Sequence, residues 1–543
     1  MTLSRTTRRQ LLKAGLGAAS LGLIDKLGLP LLSPRTARAN TGYGAGSGKP
    51  TKLLTIYVPG GWSSYYMWCS LTASEISKFM KPFWHLPGNA NSQWVFYDPE
   101  HVTNTDGSGD ELGNDGYQKL RVPRVWDEEA LLANQGSINF LRTFGWAWAN
   151  PDWKVWEKCN VVHGIHTESA AHGSAMIGML TGTTGATFTN PSIHARVAYA
   201  MAAAYGDDRP LGSMNIGPTL VLPQAGNLPS TAAPTSVSSL AGLEPLLSET
   251  GPHWKGLHNR NQHPEFDYWG QSLGLSIPTN SIDEDLLGHT RSLAGSSDDL
   301  LFEQIYDGYR GISRQLAADI LSQIDNSPGL SSVEPAYWNH SAAMPHFSTF
   351  YSYNPAVQEY ADLTLKLLSS DTCSAIHLAW GDINHDNHGY SSHVLQFTDM
   401  RQTFEQIGRF LAYMNMIPGA EGGTLLDETL VMIGSEFSRN WPKSGFCDHW
   451  PVDSVCFAGG NVHGNRMIGG FDMEVGMGVK ADEIEKSHGF LGKKIDLIDE
   501  NGAPMTRQPL RKDIVHSALD IMGIPDTFLP GGPGKILGLK KGA

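Results

Sequence analysis

Residues 52–61 read Lys-Leu-Leu-Thr-Ile-Tyr-Val-Pro-Gly-Gly, and this stretch decides the fold. Its first seven residues are mostly apolar, which is typical of a strand that is buried on both faces of a parallel sheet. The Pro-Gly-Gly that follows ends the strand and opens a loop. We therefore expect a central parallel strand here, with a loop at its carboxyl end.

Similar apolar runs recur along the chain and alternate with helical patterns. Further strands are predicted at 160–165, 374–380, 429–434 and 452–458. Helices are predicted at 170–180, 300–324, 356–368, 397–414 and 511–522. Strands that alternate with helices through long crossovers form a mostly parallel sheet with helices on both faces. The predicted fold class is therefore α/β.

The composition limits both the domain organisation and the class of partner. A chain of 543 residues can form one large domain with insertions, and we predict a single domain over residues 40–543. The insertions are expected at about 85–150, which is rich in Asn, Gly, Asp and Trp, and at about 206–300, which is loop-rich. The net charge of −14 argues against non-specific nucleic-acid binding. Five cysteines are too few for a disulfide framework, and their pairing stays open.

The N-terminal residues have the features of an export signal. Thr7-Arg-Arg-Gln-Leu-Leu-Lys13 is a twin-arginine pattern, residues 14–24 are modestly apolar, and Ala37-Arg38-Ala39 resembles a cleavage site. We predict a twin-arginine signal peptide over residues 1–39, and export by that machinery to the periplasm or beyond. No run of about eighteen apolar residues follows residue 40, so no transmembrane span is expected.

Two acid–imidazole clusters follow predicted strands and indicate a metal site. One occupies residues 381–389 and the other residues 435–440, with an Asp-His pair close behind the second. Carboxylates and imidazoles that converge at strand ends can hold a divalent metal. The candidate ligands are Asp386, His388, Glu436, Asp448 and His449, with Asp382 and His385 as further candidates. The alternatives are a polar turn at 384–389, a surface ion pair between Glu436 and Arg439, and a capped helix start at 448–449.

His172 lies at the predicted start of the helix that ends at Thr181-Gly182. Helix starts carry unpaired N–H groups and the positive end of the dipole, so a nucleophile or an anion is favoured there. The alternative is that Gly and Ala in this helix simply permit close packing against the sheet.

These motifs resemble those of the alkaline phosphatase and sulfatase superfamily, which places a nucleophile at the start of a helix that ends in Thr-Gly. More closely, the chain resembles the twin-arginine-exported family DUF1501 and its sister family DUF1552. The segments that carry the resemblance are Gly60-Gly61-Trp62-Ser63, Ala171-His172, Asp386-Asn387-His388, Glu436-Phe437-Ser438-Arg439, Asp448-His449-Trp450, Gly459-Gly460-Asn461-Val462-His463-Gly464 and the closing helix Asp513–Ile524. The resemblance implies an alkaline-phosphatase-like fold and a divalent metal (Zn, Mg, Mn or Ca). It also implies hydrolysis of an anionic phosphate or sulfate ester, with His172 and Arg439 as candidate catalytic residues.

The chain departs from the family pattern at two positions. Ser63 stands where the family has an acidic ligand, and a hydroxyl binds a divalent cation less well than a carboxylate does. His172 stands where the hydrolases have a hydroxyl or thiol nucleophile. A second hypothesis is therefore a non-catalytic exported protein that binds a surface polymer or a partner through its tryptophan-rich region.

Overall fold

The computed structural model describes part of the chain, which divides into two compact units. One unit comprises Met1–Ala37, Asp208–Pro210 and Ser239–Ser327, and the other comprises Arg38–Asp207, Leu211–Ser238 and Pro328–Ala543. The described residues are 48–62, 64, 102–104, 121–123, 148, 153–183, 190–205, 209, 211–218, 228, 232, 234–239, 243, 320–330, 355–381, 386, 388, 403–404, 406–420, 422–439, 449–472, 491–524 and 533–542.

The predicted signal peptide and most of both predicted insertions lie outside the described residues, so the single domain expected for residues 40–543 stays a prediction. In the first unit, residues 320–325 are helical, which overlaps the end of the predicted helix 300–324. In the described part of the chain, no helix combines the length and the apolar character needed to cross a bilayer.

An eight-stranded sheet forms the centre of the second unit. Its strands are β1 (Lys52–Tyr57), β2 (Cys159–His166), β3 (Leu211–Ile216), β4 (Thr235–Val237), β5 (Cys373–Ala379), β6 (Thr429–Gly434), β7 (Val452–Gly459) and β8 (Arg466–Gly469). Their order across the sheet is β8-β2-β7-β6-β1-β5-β3-β4. The strand predicted at residues 52–58 is central, between β6 and β5, and it is parallel to both. All six of its residues are buried, as expected for a strand covered on both faces.

One strand runs against the others. β7 is antiparallel to both β2 and β6, and its first residue, Val452, pairs with His166 at the end of β2. All other pairings in this sheet are parallel. The predicted α/β class with a mostly parallel sheet is therefore confirmed. The direction of β7 also brings the segment before it to the edge where the parallel strands end.

Four helices with defined bounds accompany the sheet: α1 (His172–Thr181), α2 (Ile193–Tyr205), α3 (Pro355–Ser369) and α4 (Arg511–Met522). Residues 406–416 are also helical, which overlaps the predicted helix 397–414 and extends two residues beyond it. α2 packs on β5 and β3, α3 packs on β5, and α4 contacts β6, α1 and α2. A buried apolar cluster joins the sheet to α2 and α4, and it includes Leu53, Leu430, Val197, Ile514 and Leu519. Burial of such side chains stabilises by about 1.5–3 kcal/mol each.

Short elements complete the second unit. A 3₁₀ helix spans Val155–Lys158, and two-stranded ladders pair Val102–Asn104 with Arg121–Pro123, Ser438–Arg439 with His449–Trp450, and Phe471–Asp472 with Leu491–Gly492. A three-stranded sheet has the order Pro504–Arg507, Ile495–Ile498, Lys535–Ile536.

Candidate metal centre

The site lies at the carboxyl edge of the parallel strands. Gly60 and Gly61 follow β1, and Glu436 follows β6. The end of β2 leads through a short loop to His172, the first residue of α1. His449 precedes β7, and it reaches the same edge because β7 is antiparallel to its neighbours. The fold therefore brings four distant segments of sequence to one place.

Three side chains form a cluster that could hold a metal ion. His172, Asp386 and His449 each offer one ligand atom, and these atoms all lie within 4.8 Å of one another. Nε2 of His172 is 3.5 Å from Oδ2 of Asp386, and Nε2 of His449 is 3.8 Å from Oδ1 of the same carboxylate. Two imidazole nitrogens and one carboxylate oxygen match the donor types of a zinc-type metal.

Both imidazoles are oriented by an acceptor on their far side. Nδ1 of His172 lies 2.7 Å from Oε1 of Glu436, and Nδ1 of His449 lies 2.7 Å from the carbonyl oxygen of Ala170. A carboxylate and a carbonyl can only accept, so each Nδ1 carries the proton and each Nε2 of the neutral ring keeps its lone pair. Among the residues that the structure describes, Nε2 of His172 has no hydrogen-bond partner although the atom is buried. This arrangement is typical of histidines that bind a metal.

Glu436 accepts four hydrogen bonds. Its Oε1 accepts from the backbone N–H of Gly60 (2.8 Å) and from His172 (2.7 Å). Its Oε2 accepts from the Tyr57 hydroxyl (2.9 Å) and from the Ser435 hydroxyl (2.8 Å). The side chain is 2% exposed. These contacts make Glu436 a group that orients His172.

Arg439 is fully buried and holds Asp386 in place. Its Nη2 donates to Oδ1 of Asp386 at 2.6 Å and also to the carbonyl of Gly60, and its Nε donates to the carbonyl of Gly61 at 3.0 Å. The surface ion pair considered for Glu436 and Arg439 is not found: each has other partners, and both residues are buried. Arg439 therefore contacts the three-residue cluster by its hydrogen bond to Asp386.

His388 lies at the rim of the cluster. Its Nε2 is 3.0 Å from Oδ1 of Asp386, 3.1 Å from Nε2 of His449 and 3.3 Å from Nη1 of Arg439. The side chain is 48% exposed, whereas that of His449 is 21% exposed. His388 is thus the imidazole of this site that solvent reaches most easily.

Phe437 separates the two inner imidazoles from the core. Its ring centroid is 4.7 Å from that of His172 and 4.3 Å from that of His449. The Arg439 guanidinium lies 5.6 Å from the same ring. A fully buried ring that contacts all three side chains restricts their rotamers.

Burial, hydrogen bonds and charges shift the pKa values of the site: they favour ionised Asp386 and Glu436 and a neutral His449, whereas they favour the protonated form of His172. Burial raises the pKa of Glu436 and of Asp386, but hydrogen bonds offset this effect: those from His172, Ser435 and Gly60 to Glu436, and that from Arg439 to Asp386. Both carboxyl groups therefore have pKa values below their ordinary range. The hydrogen bond to Glu436 raises the pKa of His172. Burial, followed by the charge of Arg439, lowers the pKa of His449.

A buried ion pair between Arg511 and Asp453 holds the backbone of Ser435 and Glu436. Arg511 at the start of α4 donates to Oδ2 of Asp453 (2.6 Å) and to the carbonyls of Ser435 (2.7 Å) and Glu436 (3.1 Å). The indole N–H of Trp62 donates to Oδ1 of Asp453 at 2.8 Å. Burial raises the pKa of Asp453, and Arg511 opposes this rise. The sequence signal for this pair was Asp453, a charged residue in a mostly apolar strand.

Six of the residues predicted from sequence meet at this site: His172, Asp386, His388, Glu436, Arg439 and His449. Four others lie outside the described residues, namely Ser63, Asp382, His385 and Asp448. Sequence reasoning did not identify Tyr57, Ser435, Phe437 or the carbonyl of Ala170, which hold the site in shape.

Comparisons of the chain with protein-family models, with curated proteins and with solved structures found no match. The resemblance to DUF1501 therefore stays a prediction.

Proposed function

We propose that this protein is an exported, alkaline-phosphatase-like hydrolase that uses a divalent metal to cleave phosphate or sulfate esters. One observation carries the proposal: the Nε2 lone pairs of His172 and His449 converge beside Asp386, and an acceptor on the far side orients each ring. The position at the carboxyl edge of a mostly parallel sheet agrees with where α/β proteins place their ligands.

The residues of the site would divide the work as follows. His172, Asp386 and His449 would bind the metal, which supplies a Lewis acid for the ester oxygen and a water of lowered pKa. Glu436 fixes the tautomer of His172, and Arg439 fixes Asp386. His388, on the exposed rim, can hand a proton to the departing alcohol oxygen. In this scheme Nε2 of His172 is a ligand atom and not a nucleophile.

Two sequence features support the remaining parts of the proposal. The twin-arginine pattern at residues 7–13 supports export to the periplasm or beyond. The helix that starts at His172 and ends at Thr181, with Gly182 as its left-handed cap, supports the superfamily likeness.

The test is elemental analysis of the purified protein, followed by hydrolysis of chromogenic phosphate and sulfate esters. We expect a bound divalent metal and metal-dependent turnover of one ester class. Asp386→Ala and His449→Ala are expected to lose the metal and to lower turnover more than about 100-fold. His463→Ala is the matched control, because this histidine follows β7 and so lies at the opposite edge of the sheet.

Two outcomes would contradict the proposal. Metal-loaded protein with no turnover above background would favour a non-catalytic binding protein on the same fold. Protein that binds no divalent metal would exclude both the hydrolase and the metal centre.

A further inference from the structure

We infer that this centre takes one metal ion of the zinc type, with Arg439 as a permanent second positive charge and Glu436 as an orienting group. The inference rests on the proposed function only in assuming that a metal binds. It adds the number of ions, their class, and roles for Glu436 and Arg439 that differ from the metal-ligand and catalytic roles predicted from the sequence.

The donor atoms select the class of metal. Imidazole nitrogens from His172 and His449 would supply two of the three ligand atoms in the cluster. Magnesium and calcium prefer oxygen ligands throughout, whereas zinc and cobalt accept imidazole with carboxylate. Three protein ligands also leave a fourth position for water or substrate, as catalytic zinc sites do.

Glu436 has no lone pair to offer a metal. A carboxylate presents about four acceptor positions, and the four donors that surround Glu436 fill them: the Gly60 N–H, His172, Tyr57 and Ser435. Coordination by Glu436 would break at least one of these buried hydrogen bonds. The predicted role of Glu436 as a ligand therefore gives way to that of a positioning residue.

The guanidinium of Arg439 binds oxygen atoms that a second metal ion would otherwise use as ligands. It binds Oδ1 of Asp386 and the carbonyls of Gly60 and Gly61, so these oxygens are already engaged by a cation. With neutral imidazoles, the carboxylates of Asp386 and Glu436 and the guanidinium of Arg439 leave one net negative charge. One divalent ion turns this into a net positive site that suits an anionic ester. Among the described residues, no further carboxylate of the cluster remains to balance a second ion.

The experiment is a metal titration of the full-length protein after removal of metal with a chelator. Zn²⁺ and Co²⁺ are each added while calorimetry measures the stoichiometry, and the visible absorption of bound Co²⁺ reports on coordination. We expect one ion per chain and a Co²⁺ spectrum of low coordination number with nitrogen ligands. An excess of Mg²⁺ or Ca²⁺ is expected not to displace either ion.

Variants separate ligands from positioning residues. Glu436→Gln keeps an acceptor for His172, so it should still bind one Zn²⁺, with an affinity lowered about 10- to 100-fold. Asp386→Asn and His449→Ala should lose measurable binding, and His463→Ala should match the wild type. Circular dichroism checks the folding of each variant. If Glu436→Gln does not fold, the stoichiometry and the Co²⁺ spectrum of the wild-type protein still test the number and class of bound ions.

Three results would overturn the inference: two ions per chain, displacement of Zn²⁺ by Mg²⁺ or Ca²⁺, or a folded Glu436→Gln protein that binds no Zn²⁺. One Zn²⁺ per chain with no ester hydrolysis would instead overturn the proposed function and leave this inference standing.

Discussion

Gly61 shows how a residue without a side chain fixes the geometry of the site. Its φ of +73° lies in the left-handed region that glycine adopts readily. Its N–H donates to the Ser435 hydroxyl and its carbonyl accepts from Arg439. A Cβ at this position would overlap the ring of Phe437. The backbone at 61 and the Phe437 ring therefore fit together only because the side chain is missing.

We expect Gly61→Ala to damage the metal centre through Phe437. The new methyl group must displace a buried ring that contacts the imidazoles of His172 and His449. Zn²⁺ affinity should fall at least about 10-fold, and the free energy of unfolding should fall by about 2–3 kcal/mol, from overpacking and strain together. Calorimetric Zn²⁺ titration and urea unfolding measure the two effects.

Gly502→Ala is the matched control for backbone strain. Gly502 has a φ of +84°, and a Cβ there meets nothing within 4 Å. It should cost about 1 kcal/mol of stability and leave Zn²⁺ affinity unchanged. Equal Zn²⁺ affinities in the two variants would show that Phe437 does not transmit the clash.

At the scale of elements, the sequence predicted the sheet better than the connections. The strands at 52–58, 374–380 and 429–434 were found because each is a mostly apolar run with a break after it. β3 was missed because Ser213 and Asn215 interrupt its apolar pattern, although both side chains are buried. α2 was missed because its alanine-rich sequence has weak periodicity. Both β3 and α2 are stabilised by burial in tertiary contacts, and local sequence patterns do not reveal such contacts.

The sequence predicted His449 as a ligand, but it did not predict the direction of β7 that brings this residue to the site. Convergence of the loops after β1, β5 and β6 follows from a parallel sheet, so Asp386, Glu436 and Arg439 could be placed near one another. An apolar run does not show which way its strand points. His449 lies at the site because β7 is antiparallel to its neighbours, so the first residue of β7 lies at the carboxyl edge of the parallel strands.

The start of α4 gives a prediction at this scale. The carboxylate of Asp513 accepts from the backbone N–H of Leu510 and of Gly534 (both 2.7 Å) and from both Nη atoms of Arg507 (2.6 and 2.7 Å). Asp513→Ala removes all four contacts, and we expect it to lower the free energy of unfolding by about 2–4 kcal/mol in urea. Because α4 begins at Arg511, Zn²⁺ affinity should also fall.

Asp496→Ala serves as the comparison for this substitution. Asp496 is exposed, and its carboxylate accepts a hydrogen bond from the Thr506 hydroxyl. Its loss should cost no more than about 0.5 kcal/mol. If the two alanine variants unfold at the same urea concentration, the hydrogen bonds of Asp513 do not secure the helix.

At the scale of the whole molecule, buried histidines make stability depend on pH. The Thr55 hydroxyl lies 2.8 Å from Nε2 of His194 and 2.8 Å from Nδ1 of His377, and all three residues are at most 2% exposed. Burial lowers the pKa of His377 to about 3 and that of His516 to about 4, and it lowers the pKa of His194 well below its ordinary value. The folded protein therefore keeps these rings neutral at pH values where the unfolded chain protonates them.

The sign of the effect follows from which state binds more protons. Between a pH of about 6.5, where free histidine titrates, and the folded-state pKa values, only the unfolded chain takes up these protons. The free energy of unfolding must therefore fall as the pH falls through this window. A histidine shifted to a pKa of about 3 contributes a loss of about 2 kcal/mol between pH 7 and pH 5. Asp427 and Asp520 have lowered pKa values, so their contributions are lost only at still lower pH.

His377→Asn tests this account, because asparagine can still bond to Thr55 but does not titrate. The variant should be less stable than the wild type at pH 7, since the ring is lost from the core. Between pH 7 and pH 5, however, its free energy of unfolding in urea should fall by about 2 kcal/mol less than that of the wild type. His463→Asn, outside the core, should show the full wild-type decrease. A His377→Asn protein that loses as much stability as the wild type over this interval would show that protonation of His377 does not drive the acid sensitivity.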